Sequence, residues 1–296
     1  MHINKMAIEN TFNKYHKAGL FLMLGLLIAT LVYLYAFYQE NGDIIRRDIS
    51  LTGGTSVTVY HPADVSELKT FLERDFEEVS IRETSDLRTG EQISVIIEVK
   101  ESPEEIIPAL EEFFSITLDE SNSSIEFTGS TLGAEFYKQL RFAVILAFIL
   151  MSGVVFVLFK NLIPSLAVIL AAFANMAMTV AVVNLLGISV SGAGILAFLM
   201  LIDYSIDSNI LLTTRVLKKR EGTLNQRIYG AFKTGITMLV AAILGAIISL
   251  FLVSGFSEVL KQIFTIVLIG LCLDIFNTWV ANVSMIKWYA DRKGMQ

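Results

Sequence analysis

The sequence predicts a helical membrane protein with six transmembrane helices and one small α+β domain set between the first two. Three observations carry that prediction. Hydrophobic residues make up 54% of the 296 residues and charged residues only 18%, against about 25% charged in an average soluble domain. Six stretches are apolar over the roughly 20 residues needed to cross a hydrocarbon core: Ala18–Tyr38, Leu140–Phe159, Ile163–Leu186, Ala193–Thr214, Ile236–Ser254 and Ile263–Ile286. Charge is also segregated. Residues 39–139 hold 22 Asp and Glu against eight Lys and Arg, so the polar insert is acidic and the rest of the chain basic. The natural division is 1–38, 39–139 and 140–296.

The first span follows Lys5, Lys14 and Lys17, with Glu9 the single acid. Leu20–Tyr38 is too long for a signal-peptide core and no small-residue cleavage pattern closes it, so it is expected to stay as an anchor. The segment before it is a candidate for a short helix on the membrane surface.

Within the insert, Ser56–Tyr60 has strand composition and follows the turn-forming Gly53-Gly54. Asp64 is placed to cap a helix over Val65–Phe76, with Leu68, Phe71 and Leu72 on one face. Strands are expected over Val79–Glu83 and Gln92–Val99, joined by a turn at Leu87–Glu91. Ser102-Pro103 with Glu104 and Glu105 opens a second helix through Phe114, because Pro and acids suit helix N-termini. Ser124–Thr128 supplies a last strand. The order βαββαβ is that of the ferredoxin-like fold, its acids forming a solvated surface.

Orientation follows from Lys and Arg in the short loops. Lys5, Lys14, Lys17, Lys160, Arg215, Lys218, Lys219, Arg220, Arg227, Lys233, Lys287, Arg292 and Lys293 fall on one side, opposed by Glu9, Glu221 and Asp291. The other side has the uncharged 187–192 loop, a loop with Glu258 and Lys261, and the acidic domain; Lys138 and Arg141 run against the bias. Both termini are therefore expected in the cytoplasm and the insert outside the cell membrane. Lys160-Asn161 with Pro164 in the first helical turn makes a tight hairpin between spans two and three. Ala241, Ala242, Gly245 and Ala246 let span five pack closely.

The fourth span holds the chemistry. It reads AGILAFLMLIDYSIDSNILLTT, with Arg215 after it. A carboxylate at the bilayer centre costs about 2.5–3.5 kcal/mol and usually marks a pathway or relay. Asp203 and Asp207 share one helical face about 6 Å apart along the axis, continued by Ile210 and Thr214. Tyr204, Ser205, Ser208 and Asn209 distribute polar groups around the rest. A helix polar all round at this depth is expected to be buried among other helices or beside water, which puts span four at the centre of the bundle. Asp274 in span six adds a third acid at similar depth. Lys, Arg and His are missing from the span centres, and Arg215 lies about 12 Å below Asp207. A carboxylate without a nearby cation in an apolar medium favours its protonated form. Either these acids load and release protons, or a cation reaches them from another subunit; an inert structural role, with Asp bonded to Ser or Asn of another span, is the third possibility.

These residues carry a family resemblance. One span, an external domain, then five spans with an acidic fourth helix resembles the SecD/SecF proteins of the resistance–nodulation–division superfamily. Leu51–Thr55 (LTGGT) is similar to the family's Gly-Gly-Thr element, here Gly53, Gly54 and Thr55. Asp203–Arg215 (DYSIDSNILLTTR) is similar to its fourth-helix signature. Length and a single small domain suit the SecF side of the family in its archaeal form. The resemblance implies an accessory subunit of the Sec protein translocase in the cell membrane, paired with SecD beside the translocon channel, using the proton gradient to promote late export of unfolded preproteins. It implies a site at Asp207, around which the reading of the spans themselves sets Asp203, Asp274, Ser208, Asn209 and Arg215. Two positions depart from the pattern: bacterial SecF usually has Asn-Asp where this chain has Asp207-Ser208, and Gly at Asp203.

Other classes are weaker. A proton-driven exporter of small molecules or lipids in the same superfamily normally needs two such halves and larger external domains. A purely structural assembly factor would leave the acids inert. Enzyme chemistry lacks a nucleophile–base set, metal-ligand cluster, phosphate loop or cofactor motif, and the single Cys272 excludes an internal disulfide.

Overall fold

The computed structural model describes residues 2–76, 79–85, 89–218, 222–253 and 257–294. Part of the expected turn at Leu87–Glu91 falls outside the described residues, as do Lys219, Arg220 and Glu221 and the side chains of residues 1–17 and Glu258.

Helix α1 spans His2–Asn41 without a break. The separate surface helix expected before the first span is absent. No Pro interrupts the stretch and its first Gly is Gly19, so nothing stops the helix from continuing. After α1 come a short α2 (Ile49–Thr52), β1 (Gly54–Val59), α3 (Val65–Leu72), β2 (Ser80–Ser85), β3 (Gln92–Val99), α4 (Pro103–Phe114) and β4 (Ser123–Thr128). The strands form one antiparallel sheet in the order β2-β3-β1-β4, the topology of a βαββαβ unit. Thr55 pairs with Val99 and Phe127, fixing the register of the central strand. Alternate residues Val57 and Val59 of β1, with Val95, Ile97 and Val99 of β3, point to one face, where Leu68, Leu72, Ile106 and Leu110 of the two helices complete a buried core. That alternation follows from the two-residue period of a strand.

Strands β1 and β2 end one or two residues from the expected limits, and two helices depart further. Helix α3 begins where Asp64 accepts from the Ser66 and Glu67 amides at 2.8 and 3.1 Å, but stops at Leu72 rather than Phe76. The Asp75 amide bonds back to Leu72 O at 3.1 Å, a tight turn that still buries Phe76. Unforeseen α2 starts from Asp48, whose side chain accepts from the Ser50 amide at 3.0 Å.

The membrane bundle comprises the outer part of α1, then α5 (Ser130–Phe159), α6 (Leu162–Leu185), α7 (Gly192–Lys218), α8 (Leu224–Val253) and α9 (Glu258–Phe276). The last helix passes through a wide turn, Asn277–Asn282, with π-type bonding, and continues as α10 (Val283–Arg292). Among the described residues, six helices are long and apolar enough to span a membrane. Most extend past the expected limits, because apolar windows mark only the hydrocarbon depth while the helical bonds run on into polar flanks. Helix α7 packs on α5, α6, α8 and α9, so it is central by contact; α1 packs on α6 and on the last helix from Asn277 onward.

The Leu51–Thr55 motif is the weld between domain and bundle. Leu51 is fully buried in the bundle core. Gly53 and Gly54 have φ of 84° and 128°, which favours glycine. A Cβ at Gly53 would strike the Ser130 backbone and one at Gly54 the Val99 carbonyl. Buried Thr55 donates to Glu101 O at 2.5 Å. Beside this weld, residues 44–48 clasp the loop between α6 and α7: Asn184 Nδ2 donates to Ile44 O at 2.8 Å, the Val190 amide to Arg46 O at 2.7 Å, and the Asp48 amide to Val190 O at 3.0 Å.

Candidate intramembrane polar site

Helix α7 carries its polar residues on two opposed faces. At 100° per residue, Ser205 lies about 160–200° round from both Asp203 and Asp207. Ser205 and Asn209 are fully buried, whereas Asp203, Tyr204 and Asp207 are exposed. The helix expected at the centre of the bundle is central by contact, with one face left open on this chain. Neighbouring helices take up the Ser205–Asn209 side and leave Leu196, Met200, Asp203, Tyr204 and Asp207 as a stripe on the outer surface of the chain. Position at the centre of a bundle does not require every face of a helix to be covered.

The enclosed acid is Asp274, only 1% exposed on α9. Ser205 Oγ donates to its Oδ1 at 2.6 Å, and Ser208 Oγ and Thr278 Oγ1 lie 2.7 and 3.2 Å from its Oδ2. Three hydroxyls from two helices thus converge on one carboxyl group. The polar seam extends toward α10, where Asn209 Nδ2 donates to Ser205 O at 2.6 Å and Asn282 Nδ2 to Asn209 Oδ1 at 2.6 Å. It extends toward α6 through Asn277 Nδ2, which is 3.3 Å from Asn175 Oδ1. Near the end of the chain, buried Lys287 donates to Asn225 Oδ1 at 2.9 Å.

The π-type turn belongs to this seam. Wide turns of this kind often occur at functional sites. Here the turn includes Asn277, Thr278 and Asn282, all fully buried. Among the described residues, several seam atoms have no hydrogen-bond partner: Asn175 Nδ2, Asn277 Oδ1, Asn282 Oδ1 and Thr213 Oγ1. Orphaned polar atoms cost about 1–3 kcal/mol each, and such exceptions call for an explanation beyond packing.

Of the residues expected at the site, the structure brings Asp274, Ser208 and Asn209 together. Asp203 and Asp207 stand apart on the other side of α7. Among the described residues neither is ion-paired, and the charge acting on Asp207 is that of Asp203. Arg215 turns away to α8, donating to Gly230 O at 2.9 Å. Gly53, Gly54 and Thr55 lie in the weld described above. Sequence reasoning passed over Thr278, Asn277, Asn282 and Asn175. A signal was present: Asp274, Thr278 and Asn282 recur every four residues, one face of a helix, as do Ser205 and Asn209 on α7.

Comparison with known proteins assigns the architecture. A family model described as protein export membrane protein SecD/SecF, C-terminal, matches residues 109–292. A curated SecF protein-export membrane protein of Methanocaldococcus jannaschii is 36% identical over 252 residues, covering 83% of this chain and 87% of the relative. One from Thermococcus gammatolerans is 36% identical over 276 residues, covering 92% and 85%. The crystal structure of SecDF, a translocon-associated membrane protein from Thermus thermophilus, superposes with a TM-score of 0.76 at 20% identity. It covers 95% of this chain, which spans 38% of that longer one. The family model and the two curated relatives, each matched over more than four-fifths of its length, place the chain in the SecD/SecF family of protein-export membrane proteins.

Proposed function

We propose that the chain is the SecF-type half of a complex with a SecD-like subunit, and that it assists late export of unfolded preproteins beside the Sec channel by coupling proton uptake to movement of its outer domain. The observation that carries this reading is the placement of acids on both sides of one helix. Asp274 meets α7 from inside the bundle, while Asp203 and Asp207 leave it toward the outside, and none of the three pairs with a cation among the described residues.

Each side has a distinct task. The exposed pair faces a second membrane chain, which covers the acids or supplies them with a cation. Asp274 holds a proton or a charge that its three hydroxyl partners can accommodate, since a hydroxyl rotor donates to a carboxylate and accepts from a carboxylic acid. Protonation alters what α7 bonds to on α9. The outer end of α7 is tied to the domain through the Gly192 amide, which donates to Ser50 Oγ at 3.2 Å, and through the clasped Val190. A shift of α7 therefore reaches the weld directly. One charge moved through about 100 mV releases roughly 2.3 kcal/mol, enough to move a two-state equilibrium about 50-fold. The basic loops support cytoplasmic termini and an external domain, so the domain stands where a chain emerges.

The test is Asp207→Asn and, separately, Asp274→Asn, with export of a secreted protein followed as the proton gradient is varied. Export is expected to lose its dependence on the gradient in both variants while the complex still assembles. Unchanged, gradient-dependent export in both removes the proton role.

A further inference from the structure

Helices α1 and α5 both pack on α6 but leave a lateral cleft between them. The cleft has a volume of about 560 Å³, within the range of small-ligand sites of about 300–1,000 Å³. Its wall and floor are apolar and include Leu34, Ile145, Phe148, Phe173 and Val180. Ile44, Ile45 and Tyr137 roof it, and Arg141 stands at the same end.

Arg141, like Lys138, runs against the charge bias of the loops. Along α5 it lies about 28 Å above Lys160, close to the thickness of a hydrocarbon core of about 30 Å. Tyr35 and Tyr38 reach the same level on α1, about 27 to 32 Å above Lys17, where aromatic belts form. The other cation here is satisfied: Arg47 pairs with Asp43 at 3.5 Å, and Asp43 also accepts from Tyr137 at 2.8 Å. Arg47 and Arg141 both lie against the Tyr137 ring, 5.3 and 5.6 Å from its centroid. Arg141 has no acidic partner among the described residues and its side chain is exposed.

We propose that this cleft holds one tail of an anionic membrane lipid, with Arg141 binding the headgroup phosphate. Size favours a lipid over a protein segment. A cleft of about 560 Å³ is of the size that takes a small ligand, and a lipid tail is of that kind where a membrane-spanning helix about 30 Å long is not. Charge favours an anionic headgroup: a guanidinium at headgroup level matches phosphate in geometry and sign. The lipid braces α1, which packs on α6 and on the last helix from Asn277 onward, against α5 and the weld above it.

Native mass spectrometry of the intact protein, released from nanodiscs of phosphatidylcholine with or without phosphatidylglycerol, tests the proposal. One phosphatidylglycerol should be retained, with Arg141→Gln reducing retention at least tenfold and Arg141→Lys keeping a measurable part of it. Val180→Trp, at a half-buried position of the wall, should evict the lipid with Arg141 intact. Equal retention of phosphatidylcholine, or undiminished phosphatidylglycerol in Arg141→Gln, overturns the proposal. If Arg141→Gln does not fold, undiminished retention by folded Val180→Trp overturns it alone. So does a disulfide between Ile145→Cys, on a Cys272→Ser background, and a partner helix seated in the cleft.

Discussion

Three acids of one membrane region have different environments, and the difference is measurable. Asp274 is enclosed and accepts from hydroxyls on α7 and on its own helix. Truncating it strands those donors, each costing about 1–3 kcal/mol when left unmade, with part recovered by rotation toward helix carbonyls. Asp207 is exposed on this chain, so its truncation touches no packing. The expected outcome is that Asp274→Ala lowers the stability of the isolated chain by about 2 kcal/mol or more, while Asp207→Ala stays within about 0.5 kcal/mol. Thermal unfolding in detergent measures both; equal losses would mean that the two acids share an environment. The anomaly of carboxylates in an apolar span was legible in the sequence, and so was their common helical face. Which face the neighbours would cover was not. Spacing fixes angles around one helix but carries no information on where α9 meets it, so the small hydroxyls of Ser205 and Ser208 looked less important than the acids beside them.

At the scale of elements, the strands and helices of the insert were readable because local signals agreed: the Asp64 cap, Pro103 at a helix start, and two-residue alternation in β1 and β3. Helix α2 and the π-type turn were not, since one depends on packing of Leu51 into the bundle and the other on how many residues fit between α9 and α10. The weld has a direct test. Gly54→Ala should lower the unfolding midpoint by several degrees, because its Cβ meets the Val99 carbonyl as well as the positive φ. Gly42→Ala, at φ 72° with open space around it, isolates the backbone cost alone and should lose much less.

A second element-level prediction concerns the sheet face away from α3 and α4, where Arg82 bridges buried Glu98 of β3 and Asp48 at the start of α2. Burial raises the Glu98 carboxyl from 4.5 to about 7, against the opposing pull of Arg82. A group with a raised native pKa contributes stability in full below its unfolded value and loses that contribution as pH rises through the native one. Stability from this contact should therefore fall as pH climbs from about 4.5 to about 7 and level off above. Glu98→Gln should flatten that part of the profile in thermal unfolding of the whole protein; an unchanged slope would assign it to other groups.

For the whole molecule, the exposed stripe of α7 sets the strongest constraint. Leu196, Met200 and Tyr204 belong on a lipid-facing surface, but Asp203 and Asp207 do not. On the insertion scale the pair costs about 5–7 kcal/mol if ionised against lipid, comparable with the whole stability of many domains. The isolated chain can lower that cost by protonation, yet two acids one turn apart still leave four carboxyl oxygens in hydrocarbon. On the proposed reading of the chain as half of a two-part complex, the second chain is what covers the stripe with polar or basic groups. The prediction follows from helix geometry. In a Cys272→Ser background, single cysteines at Met200, Tyr204 or Asp207 should form crosslinks to a SecD-like partner in intact membranes. Cysteines at Leu201 or Ser205, on the buried side of the same helix, should not. Crosslinking with no periodicity, or confined to the buried side, would mean that α7 does not face the partner and that the exposed acids must be explained within this chain alone.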